Sequence, residues 1–138
     1  MIQIPNWTNE FFKPEELLSP DSIKLWEEKG LCILDPVALS TLTTFRSWLS
    51  MPLIINSGDL RLRGTRSERE NSMIDGSAIN SLHKYGKAFD MTCPHLTPAE
   101  LFHKAIEFGQ WSGIGIYRSW VHVDIGWRRG VTTWDLRP

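Results

Sequence analysis

Cysteine is scarce in this chain, with only Cys32 and Cys93 among 138 residues. Two cysteines so far apart exclude a thiolate zinc knuckle and a disulfide-stapled scaffold. They read as buried free thiols acting as small hydrophobes, with a single bridge as the alternative. A dominant charge is also missing: 15 Lys and Arg stand against 16 Asp and Glu, for a net charge of −1. That balance offers no field for nucleic acid or an anionic membrane, so neither is expected as a partner. No window approaches the roughly 18 apolar residues that a membrane helix needs. The stretch Met1–Asn6 lacks a basic region followed by an apolar one, so no secretory signal is expected and synthesis is placed in the cytoplasm. Repeats, low-complexity tracts and long linkers are absent as well. The expectation is one continuous domain over 1–138, with 1–18 as an irregular, aromatic-rich arm in which Trp7, Phe11 and Phe12 fold back over the core.

What is present is ordinary for a soluble globular chain, at 41% hydrophobic and 22% charged residues. Ser19-Pro20-Asp21 starts a helix to about Glu28, closed by Gly30, because serine caps and proline fits the first turn. Asp35-Pro36 starts a longer helix to about Ser50, with Leu39, Leu42, Phe45, Trp48 and Leu49 as its buried side. Met51–Ser57 is apolar and β-branched and reads as a core strand. Asp59–Leu82 is polar and glycine-punctuated, a long functional loop with a strand at Leu60–Arg63. Its basic cluster Arg61–Arg66, like Arg128-Arg129, reads as solvated. Lys87–Thr92 returns to strand character. Thr97-Pro98-Ala99-Glu100 is a capping box for a helix that buries Leu101, Phe102, Ala105, Ile106 and Phe108 before Gly109. Gly113–Tyr117 and Trp120–Ile125 form a hairpin around Arg118-Ser119. This order predicts an α+β fold with a small, mainly antiparallel sheet and flanking helices.

Two of the four histidines lie in patterned segments beside aspartates: Ser81-Leu82-His83-Lys84-Tyr85-Gly86-Lys87-Ala88-Phe89-Asp90 and Val121-His122-Val123-Asp124. Side chains at i and i+2 of a strand share a face, so Ala88 projects with Asp90, and His122 with Asp124. If those strands are neighbours, His122 meets Asp90, and His83 reaches the same point from the preceding loop. Two imidazoles and a carboxylate leave one zinc position open, which is how catalytic zinc sites are built. His95 and His103 fall outside this constellation. Trp120 and Trp127 flank it, where packing is the commoner use of tryptophan and sugar stacking the rarer one.

Ser81-x-His83-x-x-Gly86-x-Ala88-x-Asp90 with His122-x-Asp124 resembles the zinc D-Ala-D-Ala carboxypeptidase family, whose fold is shared with the hedgehog signalling domain. The likeness is closest to its compact bacterial and phage-endolysin branch. It extends to Pro52–Gly58, to Gly64-Thr65-Arg66-Ser67 with Asn71, and to Gly113–Tyr117, covering roughly residues 31–127.

The resemblance implies His83, Asp90 and His122 as ligands of Zn²⁺. It implies Arg66 as the arginine that holds the substrate and polarises the scissile carbonyl, with Arg61 and Arg63 as competitors. Ser81 would shape the site by hydrogen bonding, and Trp120 would sit at the substrate rim. Where relatives carry a glutamate or histidine as general base, this chain has Ser119 and Trp120. Asp124 is then either the substitute base or the carboxylate that orients a ligand imidazole. The implied activity is cleavage of peptidoglycan stem peptides by a monomeric D,D-carboxypeptidase or endopeptidase, in a phage or prophage setting. Two alternatives are a non-catalytic zinc-binding module of a phage particle and another metallohydrolase, such as an amidase.

Overall fold

The computed structural model describes residues 7–126 and 130–138; the readings made for Met1–Asn6, Trp127 and Arg128-Arg129 lie outside the described residues. The helices are α1 (Pro14–Leu17), α2 (Pro20–Lys29), α3 (Pro36–Leu49), α4 (Glu68–Ser72) and α5 (Pro98–Phe108), with a 3₁₀ turn at Leu82–Tyr85. The strands are β1 (Ala88–Met91), β2 (Gly113–Ile116), β3 (Val121–Asp124) and β4 (Thr132–Asp135), in the spatial order β1-β3-β2-β4.

The expected α+β architecture is present. β1 and β2 both pair antiparallel with β3, as the hairpin and the neighbouring strand required. β4 pairs parallel with β2, so the sheet is mixed. This fourth strand escaped the sequence reading because Thr132, Thr133 and Asp135 are exposed and only Trp134 is half-buried, which gives no apolar alternation.

Helix ends follow local chemistry closely. The Ser19 hydroxyl accepts from the Ser22 amide, the Asp35 carboxylate from those of Val37 and Ala38, and Thr97 from that of Glu100. α5 packs on one face of the sheet against β2 and β3, and α3 packs on α5. Between them lie Leu42, Phe45, Leu101, Ala105, Trp111 and the core-facing strand residues Phe89, Met91, Ile114, Val121 and Val123. The chain from Trp7 to Leu18 lies against this core. Phe12 is buried, Asn9 donates to the Thr43 hydroxyl on α3, and the Arg46 guanidinium lies 4.5 Å from the centre of the Phe11 ring. Within the arm, Pro14–Leu17 forms a short helix rather than irregular chain. Cys32 and Cys93 are buried free thiols.

Several local expectations are corrected. Met51–Ser57 is not a strand; it makes isolated bridges, Ile54 with Thr92 and Ser57 with Leu60. The Asn56 amide donates to Glu16, and its side chain donates to the Glu15 and Leu18 carbonyls, which ties the segment to α1 instead of the sheet. Leu60–Arg63 is likewise not a strand; Leu60 makes only its isolated bridge with Ser57. The polar loop contains α4, opened by a Ser67–Glu70 capping box. Arg66 is buried rather than solvated. Trp48 and Ile106 stand on exposed flanks of α3 and α5, not on their buried faces.

Candidate metal centre

The strand register sets one transverse row of residues across the sheet. Asp90 on β1 is opposite His122 on β3, His122 is opposite Gly115 on β2, and Gly115 is opposite Trp134 on β4. Side chains of this row project from the face opposite the core, because their strand neighbours Phe89, Met91, Val121 and Val123 fill the core face. A cleft of about 360 Å³ opens over the row.

His83 reaches the row from the 3₁₀ turn. Its geometry is set by Ser81, whose hydroxyl accepts from the His83 amide at 3.4 Å, and by Gly86, which ends the turn at φ 67°. A side chain at Gly86 would place its Cβ 2.0 Å from the Ile33 carbonyl oxygen, so only glycine closes this turn. His83 Nδ1 donates to the Gly64 carbonyl at 2.7 Å, which leaves Nε2 unprotonated and 3.4 Å from Asp90 Oδ1.

His122 Nδ1 lies 3.0 Å from the same Asp90 oxygen, and its Nε2 donates to Asp124 Oδ2 at 2.9 Å. One donor atom from each of His83, Asp90 and His122 falls within 4.8 Å of the others. The sequence-predicted trio is therefore brought together, and it has the chemistry of a metal site. Two imidazoles and one carboxylate face a shared point, and each imidazole is held through its other nitrogen by an oxygen, as metal-binding histidines are.

Arg66 sits behind the trio and is 8% exposed. Its Nε donates to the Leu62 carbonyl, Nη1 to Asn71 Oδ1 and Ser77 Oγ, and Nη2 to Asp90 Oδ2 at 3.3 Å. Of five guanidinium N–H groups, four meet acceptors among the described residues and one on Nη2 does not. Burial lowers its pKa, opposed by the charges of Asp90 and Glu70.

Asp124 is 1% exposed, and both its oxygens are engaged, Oδ2 by His122 and Oδ1 by the Gly126 amide at 3.0 Å. The trio's electrostatics follow from this packing. Burial disfavours the imidazolium of His122, but hydrogen bonds to Asp124 and Asp90 outweigh it and raise the pKa to about 9. Burial lowers the pKa of His83. Burial would raise that of Asp90, yet the two histidines hold it well below the usual carboxylate range.

Trp120 lies on the cleft wall, its ring stacked on Tyr117 at 4.8 Å and overlain by the Arg63 guanidinium at 5.3 Å. With its ring already engaged by these two neighbours, it is a packed wall more than an open sugar platform. His95 and His103 are exposed and outside the cleft. The sequence reading missed Asp75, Tyr117 and Trp134, which also line the cleft. Asp75 and Trp134 sit in stretches without periodicity; Tyr117 was read only as the end of a strand.

An α+β domain whose sheet face carries two imidazoles and a carboxylate at the floor of a cleft has the donor set on which metal-dependent hydrolases are built. Residues 11–124 match the model of the peptidase M15 family, and the chain belongs to that family of zinc D-Ala-D-Ala carboxypeptidase-like metallopeptidases. Among curated proteins, none matches the chain significantly.

Proposed function

We propose that this protein is a zinc metallopeptidase that cleaves peptidoglycan stem peptides, as a monomeric D,D-carboxypeptidase or endopeptidase. The observation that carries the reading is the convergence of His83, Asp90 and His122 at the floor of an open cleft in a member of a peptidase family. Zn²⁺ held by these three residues would supply a Lewis acid for the peptide carbonyl and a means of ionising water near neutral pH.

The chain's own groups have separable tasks. His83 and His122 present Nε2 and Nδ1, each fixed in one tautomer by the acceptor at its other nitrogen. Arg66 braces Asp90 through Oδ2, so that Oδ1 faces the histidines, and its remaining Nη2 proton is available to a substrate carbonyl. Ser81 shapes the turn that delivers His83. Of the two roles open to Asp124, its geometry favours orienting His122 over taking the water's proton, because both oxygens already accept hydrogen bonds. The setting we propose is a phage or prophage endolysin that is made in the cytoplasm and acts on the cell wall after release.

The test is metal content and wall cleavage together. After chelation and reloading, the protein is expected to hold one zinc, and His83→Ala to hold none; stoichiometric zinc in that variant would remove His83 from the ligand set. Purified cell wall incubated with the loaded protein is expected to show new amino groups or released D-Ala. The committed state of Asp124, with serine at position 119, favours one second reading, a zinc-binding module without catalysis. Bound zinc with no wall product would establish that reading instead.

A further inference from the structure

The family match ends at Asp124, whereas β4 begins at Thr132, so one wall of the cleft is built by a strand beyond the matched region. Trp134 is the half-buried residue of that strand. It lies in the same transverse row as Asp90 and His122, with Gly115 between it and His122. A Cβ at Gly115 would stand 2.2 Å from Trp134 Nε1, so the missing side chain lets the indole lie across β2. There its ring meets His122 at 5.4 Å between centroids, and its Nε1–H donates to the Tyr117 hydroxyl at 3.2 Å.

That hydrogen bond has a directional consequence. Indole N–H is a donor only, so the Tyr117 oxygen must accept, and its own proton turns to the other side of the phenol. Among the described residues, no chain acceptor takes that proton. The Tyr117 ring cannot swing to find one, since it is stacked on Trp120 at an interplanar angle of 8°. Tyr117 lines the same cleft as Arg66, His83, Asp90 and His122. A fixed neutral donor therefore looks into the space over the metal centre.

We infer that the Tyr117 hydroxyl, aimed by Trp134, donates a hydrogen bond to the carbonyl oxygen of the scissile peptide as negative charge develops on it. The inference rests on the peptidase reading above and adds a donor to it. No proton is transferred; the hydroxyl keeps its proton throughout, and Trp134 acts only through Tyr117. Such a donor strengthens as charge builds on the oxygen, so its loss falls on kcat more than on KM.

Three variants and three readouts test this. Tyr117→Phe removes only the hydroxyl, and kcat on a stem-peptide substrate is expected to fall on the order of 100-fold, with KM changed by less than about threefold. Trp134→Phe keeps a ring against His122 but removes the N–H, and a smaller fall in kcat, about tenfold, is expected. The double variant should be no slower than Tyr117→Phe alone, since one residue works through the other. Zinc content should stay stoichiometric in all three. Calorimetric binding of a phosphinate pseudopeptide, whose tetrahedral oxyanion mimics the charged carbonyl, should weaken in Tyr117→Phe by a similar factor. Unchanged kcat and unchanged phosphinate affinity in Tyr117→Phe would overturn the inference, and additive losses in the double variant would overturn the link to Trp134. Phosphinate binding that needs Tyr117, in a protein that cleaves no peptide, would uphold the donor while sinking the peptidase reading. A wild-type protein that neither cleaves peptide nor binds phosphinate would sink both.

Discussion

His122 stands between two carboxylates, and that position fixes how the metal-free protein responds to pH. Its pKa is raised from 6.5 to about 9, so the stabilisation it gives is complete below 6.5 and is lost as pH rises through about 9. His83 shifts the other way, because burial holds it neutral; its effect grows with pH only up to its ordinary value of 6.5. Above neutrality His83 no longer contributes and the loss from His122 remains. The urea midpoint of the chelated protein is therefore expected to fall between about pH 7 and pH 9.5, and His122→Asn to flatten that fall. Zinc affinity should rise over the same range, since the metal displaces the proton shared with Asp90. Asp124→Asn separates the two roles open to that residue: an orienting carboxylate predicts zinc affinity weakened about 10- to 100-fold. A general base would leave zinc binding intact and lower kcat alone. At this scale the sequence was highly legible for the ligands, because His83, Asp90 and His122 each sat in a strict local pattern. It was illegible for Arg66's commitment to Asp90, since the partners Leu62, Asn71 and Ser77 are drawn together by a loop with no period.

Short elements decide whether those residues are held. α4 has 5 residues and owes its existence to the Ser67 cap, yet it carries Asn71, which grips Arg66. Ser67→Ala is expected to cost about 1 kcal/mol of stability, read from chemical denaturation, and also to weaken zinc binding through Arg66 and Asp90. Thr97→Ala removes an equivalent cap from α5, remote from the cleft, and should cost about the same stability with zinc affinity unchanged. Equal zinc losses in both would show that α4 has no special hold on the site. Capped helices were the most readable elements, since Ser19, Asp35 and Thr97 announce their own boundaries. The strand expected at Met51–Ser57 failed for a physical reason: β-branched composition marks burial, and Asn56 directed the backbone toward α1. β4 was hidden for the opposite reason, being an exposed edge held by one tryptophan.

In the whole molecule, the α3–α5 layer and the metal centre occupy opposite faces of one sheet, so core stability and metal binding should be partly separable. Phe45→Ala, at the centre of the contacts with Phe108 and Trp111, is expected to cost about 3–5 kcal/mol while the folded fraction still takes up zinc. Zinc itself should raise the melting temperature in a concentration-dependent way, by about 2.7 kcal/mol of stability at one hundred times its dissociation constant. Fold class was readable from element order alone, whereas the mixed sheet and the aromatic wall required the register. That register carries one further consequence. Two of the three donors stand opposite each other on neighbouring strands of a hydrogen-bonded ladder, so their separation is measured by the backbone and not by any loop. The ladder works as a ruler. Residues could be added to or removed from the Arg118-Ser119 turn without moving the donors apart, leaving the loops free to remodel the mouth of the cleft while the spacing of the donors below stays unchanged.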